Sequence, residues 1–309
     1  MPALRPGQSE SVARAFAPAH VTGFFAPDVS ARDPRGRGSV GAGVVLEAGV
    51  TATARYLASR VQRVHVRAPE GADLPISLDV ARRFVGERRG VFDVDLTHDL
   101  PIGQGFGTSA AGALATGLAM ASLLGLPRRR ATETAHLADL FGGGGLGGVA
   151  AILGGGMELR TRPGLPPSGR VLRYAFAPSI VLSVVGPPLP SPPLLRDPLF
   201  LDRVRAAAGA AVQRLSRRPT SGRFLVESEE FTDALQLGSR RLRGTIDAVR
   251  RTGARCAQAM LGESLFAVPA TAEVRRAVLR VLERRRLPAV ELSAARESLL
   301  DEARVGADP

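Results

Sequence analysis

The sequence predicts an α+β protein built from two domains. A chain of 309 residues, 45% of them hydrophobic, is long enough to bury more than one core. Strand patterns and helical patterns are mixed along the whole chain, which is typical of the α+β class. Residues 163–169, rich in proline and glycine, have the composition of a linker. We therefore expect domains over residues 1–165 and 166–309.

The first domain is expected to begin with a strand over residues 12–17 that ends at Pro18. Residues 39–43 are predicted to form a glycine-rich turn. Valine- and threonine-rich runs predict further strands, and helical periodicity predicts helices. The remaining elements expected here are strands over residues 44–57, 61–68, 92–96 and 158–160, and helices over residues 78–88, 109–124 and 129–141.

The second domain is predicted from the same two patterns, after a proline-rich loop over residues 187–193. Strands are expected over residues 171–177, 180–185, 255–260, 264–268 and 289–292. Helices are expected over residues 199–217, 222–235, 239–251 and 271–285.

Composition excludes several classes of protein. The sequence contains no apolar run long enough to cross a membrane, and its N-terminus lacks the apolar core of a secretory signal. We expect a cytoplasmic protein with no membrane contact. The single cysteine, Cys256, excludes an internal disulfide and a cysteine-cluster metal site.

The formal net charge of +12 comes entirely from arginine, because the sequence contains no lysine. The arginines are scattered over helical patterns without interleaved aromatic residues, which favours solvated helix faces over nucleic-acid binding. Without lysine there is neither a Walker-type Gly-Lys-Ser/Thr loop nor a Schiff-base lysine.

A glycine-rich loop precedes the alanine-rich helical pattern that begins at Ser109. Gly103, Gly105 and Gly107 alternate along it and run into Thr108 and Ser109. Glycines expose backbone N–H groups, and the first turn of a helix carries unpaired N–H groups that suit a phosphate. The two hydroxyls could cap the helix or hold a Mg²⁺ ion. From these residues alone, a tight turn with an N-cap and no ligand is the favoured interpretation, because such glycine patterns are common by chance.

The loop resembles the signature Pro-x-x-x-Gly-Leu-Gly-Ser-Ser-Ala of the GHMP kinases, the family of galactokinase and of homoserine, mevalonate and phosphomevalonate kinases. Phe106 stands in place of Leu, and Thr108 in place of the first Ser. The matching residues are Pro101, Gly105, Gly107, Ser109 and Ala110. Within that family, residues 15–25, 38–43, 219–220 and 259–267 resemble the archaeal pantoate kinases.

This resemblance implies a fold and an activity. The N-terminal domain would resemble domain 2 of ribosomal protein S5, and the C-terminal domain would be ferredoxin-like, with ATP bound in the cleft between them. The implied reaction is ATP-dependent phosphorylation of pantoate to 4-phosphopantoate in archaeal coenzyme A synthesis, with Mg²⁺. Implied partners are this small-molecule substrate and a second copy of the chain, because the family often forms dimers.

The resemblance also assigns roles to residues. Ser109 and Asp139 are expected to be catalytic and to bind the metal, and Ser39, His136 and Arg160 are expected to bind the substrate. An arginine suits a carboxylate, and a histidine can hydrogen-bond a hydroxyl. The residues expected to bind ATP are Pro101, Gly103, Gly105, Phe106, Gly107, Thr108, Ser109 and Ala110.

Each of these residues also has an ordinary structural interpretation. His136 is open to a structural role on its helix, Arg160 to a surface position, and Asp139 to a solvated helix position. His20 is equally compatible with lining a pocket and with capping a strand. These alternatives stay open at the level of sequence.

One position departs from the family pattern. Where the pattern reads Gly-Leu-Gly-Asp-Val, with the aspartate as candidate base, this sequence has Gly148 in place of the aspartate. A base typically contributes about 10²–10⁴-fold to a rate. Three functions are therefore compatible with the sequence: an impaired pantoate kinase, a non-catalytic relative that binds nucleotide or pantoate, and a GHMP kinase acting on another small hydroxy acid.

Overall fold

Two β-sheets with packed helices form the protein, and the α+β prediction is confirmed. The computed structural model describes residues 10–68, 71–143, 146–189, 193 and 197–296. Within these ranges, no helix is both long and apolar enough to cross a bilayer.

The larger sheet belongs to the first half of the chain. Its central strand is β2, which pairs with β1, β4 and β5, and only the β3–β4 pair is parallel. The strands are β1 (Glu10–Asp28), β2 (Gly38–Leu57), β3 (Gln62–Arg67), β4 (Gly90–His98), β5 (Met157–Arg162) and β6 (Arg170–Tyr174).

Four helices accompany this sheet: α1 (Pro75–Val85), α2 (Thr108–Leu124), α3 (Arg128–Gly142) and α4 (Gly148–Gly154). Helix α2 is the centre of the packing, since it contacts β1, β2, α1 and α3. Most of its residues are buried, and many are alanine or glycine. Small side chains let neighbouring backbones approach closely, and this fixes the start of α2 firmly against the sheet.

The smaller sheet is antiparallel throughout and has the order β10-β7-β9-β8. Its strands are β7 (Ile180–Val184), β8 (Arg255–Gln258), β9 (Ser264–Val268) and β10 (Val290–Leu292). The accompanying helices are α5 (Pro198–Arg217), α6 (Ser221–Leu235), α7 (Arg240–Arg250) and α8 (Ala272–Arg284). Cys256 is buried in β8, and burial raises the pKa of its thiol, which suits a packing residue.

The second half of β1 connects the two parts of the molecule. Phe24 lies 6.3 Å from Phe224 between ring centroids, and Phe25 lies 6.0 Å from Phe231. Both partners are on α6, so the N-terminal strand packs against the C-terminal helices in one continuous core. This packing brings residues near position 20 to the junction of the two sheets.

Two local predictions are wrong. Pro18 does not end the first strand: β1 continues to Asp28, and its register with β2 shifts between Pro18 and His20. A register shift accommodates a residue that has no N–H to donate. Residues 39–43 form no turn and belong to β2, because long-range pairing with β1 and β5 overrides the weak strand preference of glycine.

The sheets also bear on the expected division at residue 165. Strand β6 lies beyond that point and pairs with β5 in the larger sheet. Sheet pairing therefore favours a division between Tyr174 and Ile180 over one at residue 165.

Helix α4 was not predicted from the sequence. An apolar run of seven residues shows no period that distinguishes a helix from a strand.

Candidate active site

A cavity of about 150 Å³ opens where the glycine-rich loop, α3, α4 and the connection between β8 and β9 meet. Strands β1, β2 and β5 also contribute residues to its lining. The residues around it are His20, Thr22, Phe25, Ser39, Gly103, Gly105, Gly107, Thr108, Ser109, Ala110, Asp139, Leu146, Gly147, Gly148, Arg160, Met260 and Leu261.

The glycine-rich loop has the conformation that only glycine adopts readily. Gly103, Gly105 and Gly107 all have positive φ, at 75°, 75° and 66°. A Cβ on Gly107 would stand 2.9 Å from the carbonyl oxygen of His20, so side chains are also excluded by space. The alternation seen in the sequence therefore reflects a strict backbone requirement.

Helix α2 begins at Thr108, directly after this loop, and its N-cap is Gly107. No side chain among the described residues caps this helix, so the hydroxyls of Thr108 and Ser109 are not engaged as caps. The first N–H groups of a helix lack intrahelical partners and carry partial positive charge. They border the cavity, which gives it the properties of an anion-binding site.

Asp139, on α3, also contributes a carboxyl group to this cavity. It is 2% exposed, and its Oδ1 has no hydrogen-bond partner within the part of the chain that the structure describes. Burial raises the pKa of Asp139 from its ordinary 3.8 to about 7. A buried acceptor without a partner is costly, and such groups concentrate at functional sites.

Glu158 accepts hydrogen bonds from two residues that border the cavity, His20 and Arg160. Its Oε1 lies 2.9 Å from His20 Nε2 and also accepts a hydrogen bond from Arg160. Glu158 is completely buried, and Arg160 is 3% exposed. Because a carboxylate only accepts, His20 carries its proton on Nε2, and Nδ1, 3.3 Å from the hydroxyl of Thr22, accepts. Burial lowers the pKa of His20, against the opposing effect of Glu158, so the imidazole is neutral at pH 7.

Gly148 begins α4 beside the cavity, at the position where the family pattern has aspartate. A Cβ there would lie 2.6 Å from the Cβ of Ala110 and 3.5 Å from Oδ2 of Asp139. The neighbouring Gly147 has φ of 150° and packs against Ser39. A Cβ at either glycine would thus meet a neighbouring side chain first, while positions 144 and 145 lie outside the described residues.

Most of the site residues expected from sequence border one cavity. The group comprises Ser39, Gly103, Gly105, Gly107, Thr108, Ser109, Ala110, Asp139 and Arg160. Pro101 is exposed, Phe106 is buried in the core, and His136 lies beneath the turn at Pro34–Gly36, so these three are outside the cavity lining. Burial lowers the pKa of His136, and hydrogen bonds to the backbone of Pro34 and Arg37 oppose this.

Sequence reasoning missed Glu158 and the apolar residues Phe25, Met260 and Leu261. Glu158 and Arg160 are two residues apart on one strand and so share a face, a spacing that is visible in the sequence. The apolar residues offer no such signal, because they come from β1 and from the β8–β9 connection and meet only through tertiary packing.

The donor set fits a magnesium ion shared with a nucleotide rather than one caged by protein. Among the described residues, no group of three or more His, Cys, Asp or Glu could hold a metal. One buried carboxylate, from Asp139, and one hydroxyl, from Ser109, border the same cavity. Mg²⁺ usually takes one or two carboxylates and completes its shell with phosphate oxygens and water.

Comparison with known proteins agrees with this geometry. Residues 76–156 match the model of the GHMP kinases N terminal domain. A solved phosphotransferase related to the coenzyme A biosynthesis pathway is 30% identical, with a TM-score of 0.84 over 93% of this chain and 97% of that one. The chain belongs to the GHMP kinases, a family of ATP-dependent phosphotransferases.

The branch of the family follows from curated relatives. The pantoate kinase of Thermococcus kodakarensis is 32% identical over 85% of this chain and 90% of its own length. The pantoate kinase of Methanospirillum hungatei is 28% identical over 84% and 88%. L. major mevalonate kinase, solved with R-mevalonate, is 14% identical with a TM-score of 0.64 over 94% and 98%, which shows a shared fold. The chain is thus similar to pantoate kinases over most of its length.

Proposed function

We propose that this protein transfers the γ-phosphoryl group of ATP to pantoate and forms 4-phosphopantoate. The observation that carries the proposal is the juxtaposition in one cavity of an anion-binding helix start and a buried arginine. The first suits the phosphates of ATP, and the second suits the carboxylate of a small hydroxy acid. The similarity to curated pantoate kinases supports this choice of substrate.

The nucleotide would be bound mainly by backbone. The N–H groups of the loop from Gly103 to Gly107 and of the first turn of α2 would hold its phosphates. Ser109 and Asp139 would hold Mg²⁺, which when bound neutralises charge on the phosphates.

Pantoate would lie across the cavity from these phosphates. Arg160 borders the cavity, and its Nε has no hydrogen-bond partner among the described residues, so the guanidinium is the group proposed to bind the substrate carboxylate. Ser39 offers a hydroxyl to the same region, and the apolar side chains of Phe25, Met260 and Leu261 suit the two methyl groups of pantoate. His136 stays a prediction as a substrate residue.

Without a carboxylate at position 148, catalysis would depend mainly on positioning and on electrostatics. Phosphoryl transfer has a loose transition state that requires little help from a base. The proton of the attacking hydroxyl would then leave through the γ-phosphate or a water molecule. The rate is expected to be lower than in a relative that retains the aspartate.

A coupled assay of ADP release tests this function. Purified protein with Mg²⁺-ATP should turn over pantoate in preference to homoserine, mevalonate and shikimate. Preference for one of the other acids would identify a different kinase. Folded protein that binds ATP and pantoate in isothermal titration calorimetry without releasing ADP would be a non-catalytic relative, and the proposed activity would be wrong.

We extend the proposal to location and assembly: a cytoplasmic homodimer without nucleic-acid partners. Light scattering coupled to gel filtration measures the assembly directly. A mass near 32.4 kDa, that of one chain, would exclude the dimer.

A further inference from the structure

We propose that Glu158 and His20 act together as positioning residues that hold the guanidinium of Arg160 towards the substrate carboxylate. This inference rests on the proposed function, because it takes pantoate as the occupant of the cavity. It assigns a role to two buried side chains that neither the phosphate loop nor the metal site requires.

The hydrogen bonds make Glu158 the common acceptor of two residues that border the cavity. A single oxygen of Glu158, Oε1, accepts from both His20 Nε2 and Arg160 Nη1. Both donors border the cavity, whereas Glu158 is fully buried behind them. Arg160 uses Nη1 for this contact, and its Nε has no partner within the described residues. An arginine fixed at one end retains an edge for a carboxylate.

His20 is unsuited to act as a base in this arrangement. Its Nε2 donates to Glu158, and its Nδ1 accepts from Thr22, so both ring nitrogens already have partners. The neutral ring therefore serves to fix Glu158. The backbone N–H of His20 donates to the carbonyl of Phe106 at 3.0 Å, inside the phosphate loop.

The network therefore connects the loop proposed to bind ATP with the arginine proposed to bind pantoate. One continuous set of contacts runs from the phosphate loop through His20 and Glu158 to Arg160. Fixing the acceptor relative to the phosphates is the effect on which a kinase without a base at position 148 depends most. Loss of Glu158 should thus affect pantoate much more than ATP.

The substitution Glu158→Gln keeps the shape of the side chain and removes its charge. We expect the Kd and the KM for pantoate to rise roughly 10- to 100-fold, the factor carried by a hydrogen bond to a charged group. The KM for ATP should stay within about twofold, because backbone groups bind the phosphates. Isothermal titration calorimetry measures the Kd, and the ADP assay measures both KM values.

A matched control is Glu227→Gln. Glu227 is also fully buried and also pairs with an arginine, Arg214, but it lies on α6 outside the cavity lining. The Glu227→Gln variant should be less stable than wild type and should keep the wild-type Kd for pantoate. In an Arg160→Lys background, Glu158→Gln should add less than twofold to the Kd, since residues that act through one another are not additive.

The outcomes separate the two proposals. A wild-type protein that does not bind pantoate overturns the proposed function and this inference with it. If wild type binds pantoate while Glu158→Gln leaves its Kd unchanged, or shifts the KM for ATP equally, only the inference is wrong. Additive effects with Arg160→Lys would also overturn it. Should Glu158→Gln fail to fold, His20→Gln replaces it, with the same selective rise in the pantoate Kd expected.

Discussion

Replacing Asp139 with asparagine should raise the free energy of unfolding of the ligand-free protein, by an amount that grows with pH up to about pH 7. Asparagine has nearly the same shape and no charge. In the native state the pKa of Asp139 is raised to about 7 by burial, whereas the unfolded chain has the ordinary 3.8. Between these values the folded protein holds a proton that the unfolded chain releases. The stability of wild type therefore falls as pH rises through this window and reaches a plateau above pH 7.

The size of the effect follows from the two pKa values. Each pH unit between them contributes about 1.4 kcal/mol, so the full cost of the buried carboxylate is about 4 kcal/mol above pH 7. At pH 5 the cost is about 1.5 kcal/mol by the same relation. The advantage of Asp139→Asn over wild type should thus grow by about 3 kcal/mol between pH 5 and pH 8.5.

Urea unfolding in EDTA at both pH values measures this difference. Other titrating groups are common to both proteins and cancel in the comparison. Asp202→Asn is the control for the loss of one carboxylate at the surface, because Asp202 is well exposed beside Arg205. A flat difference for Asp139→Asn would refute the reasoning, since the carboxylate would then be solvated or paired. The same variant should lose kinase activity, because a neutral amide would hold Mg²⁺ more weakly than the proposed carboxylate ligand.

Three further predictions concern the same elements. Gly148→Asp should lower stability by about 1–3 kcal/mol, because its Cβ meets Ala110, and adding Ala110→Gly should recover part of the melting temperature. If the double variant then fails to exceed wild type in kcat, a base at position 148 is not what limits the rate. Gly107→Ala should raise the KM for ATP at least tenfold, since its φ of 66° and the nearby His20 carbonyl both exclude a side chain; an unchanged KM would contradict the phosphate-loop assignment. Thr220→Ala should cost about 1 kcal/mol in urea unfolding without changing either KM, because its hydroxyl caps α6; a change in KM would contradict a purely structural cap.

Local chemistry explains what could be predicted from the sequence. Three alternating glycines before a helical pattern specify a loop of positive φ values and a free helix N-terminus, because no other residue adopts that backbone readily. His136 and Asp139 are three residues apart on one helix, and the resemblance assigns the first to the substrate and the second to the metal. The structure keeps Asp139 at the cavity and leaves His136 beneath the turn at Pro34–Gly36, since the orientation of a helix face is decided by its neighbours.

The sequence by itself thus determined the α+β class, most of the helices and strands, and the glycine-rich loop before α2, because these follow from local residue patterns. Only the tertiary structure decided which distant residues meet there. Glu158 joins His20 across 138 positions of the chain, and the apolar side of the cavity comes from β1 and from the β8–β9 connection. Such contacts arise from burial and long-range pairing, which local sequence patterns do not encode.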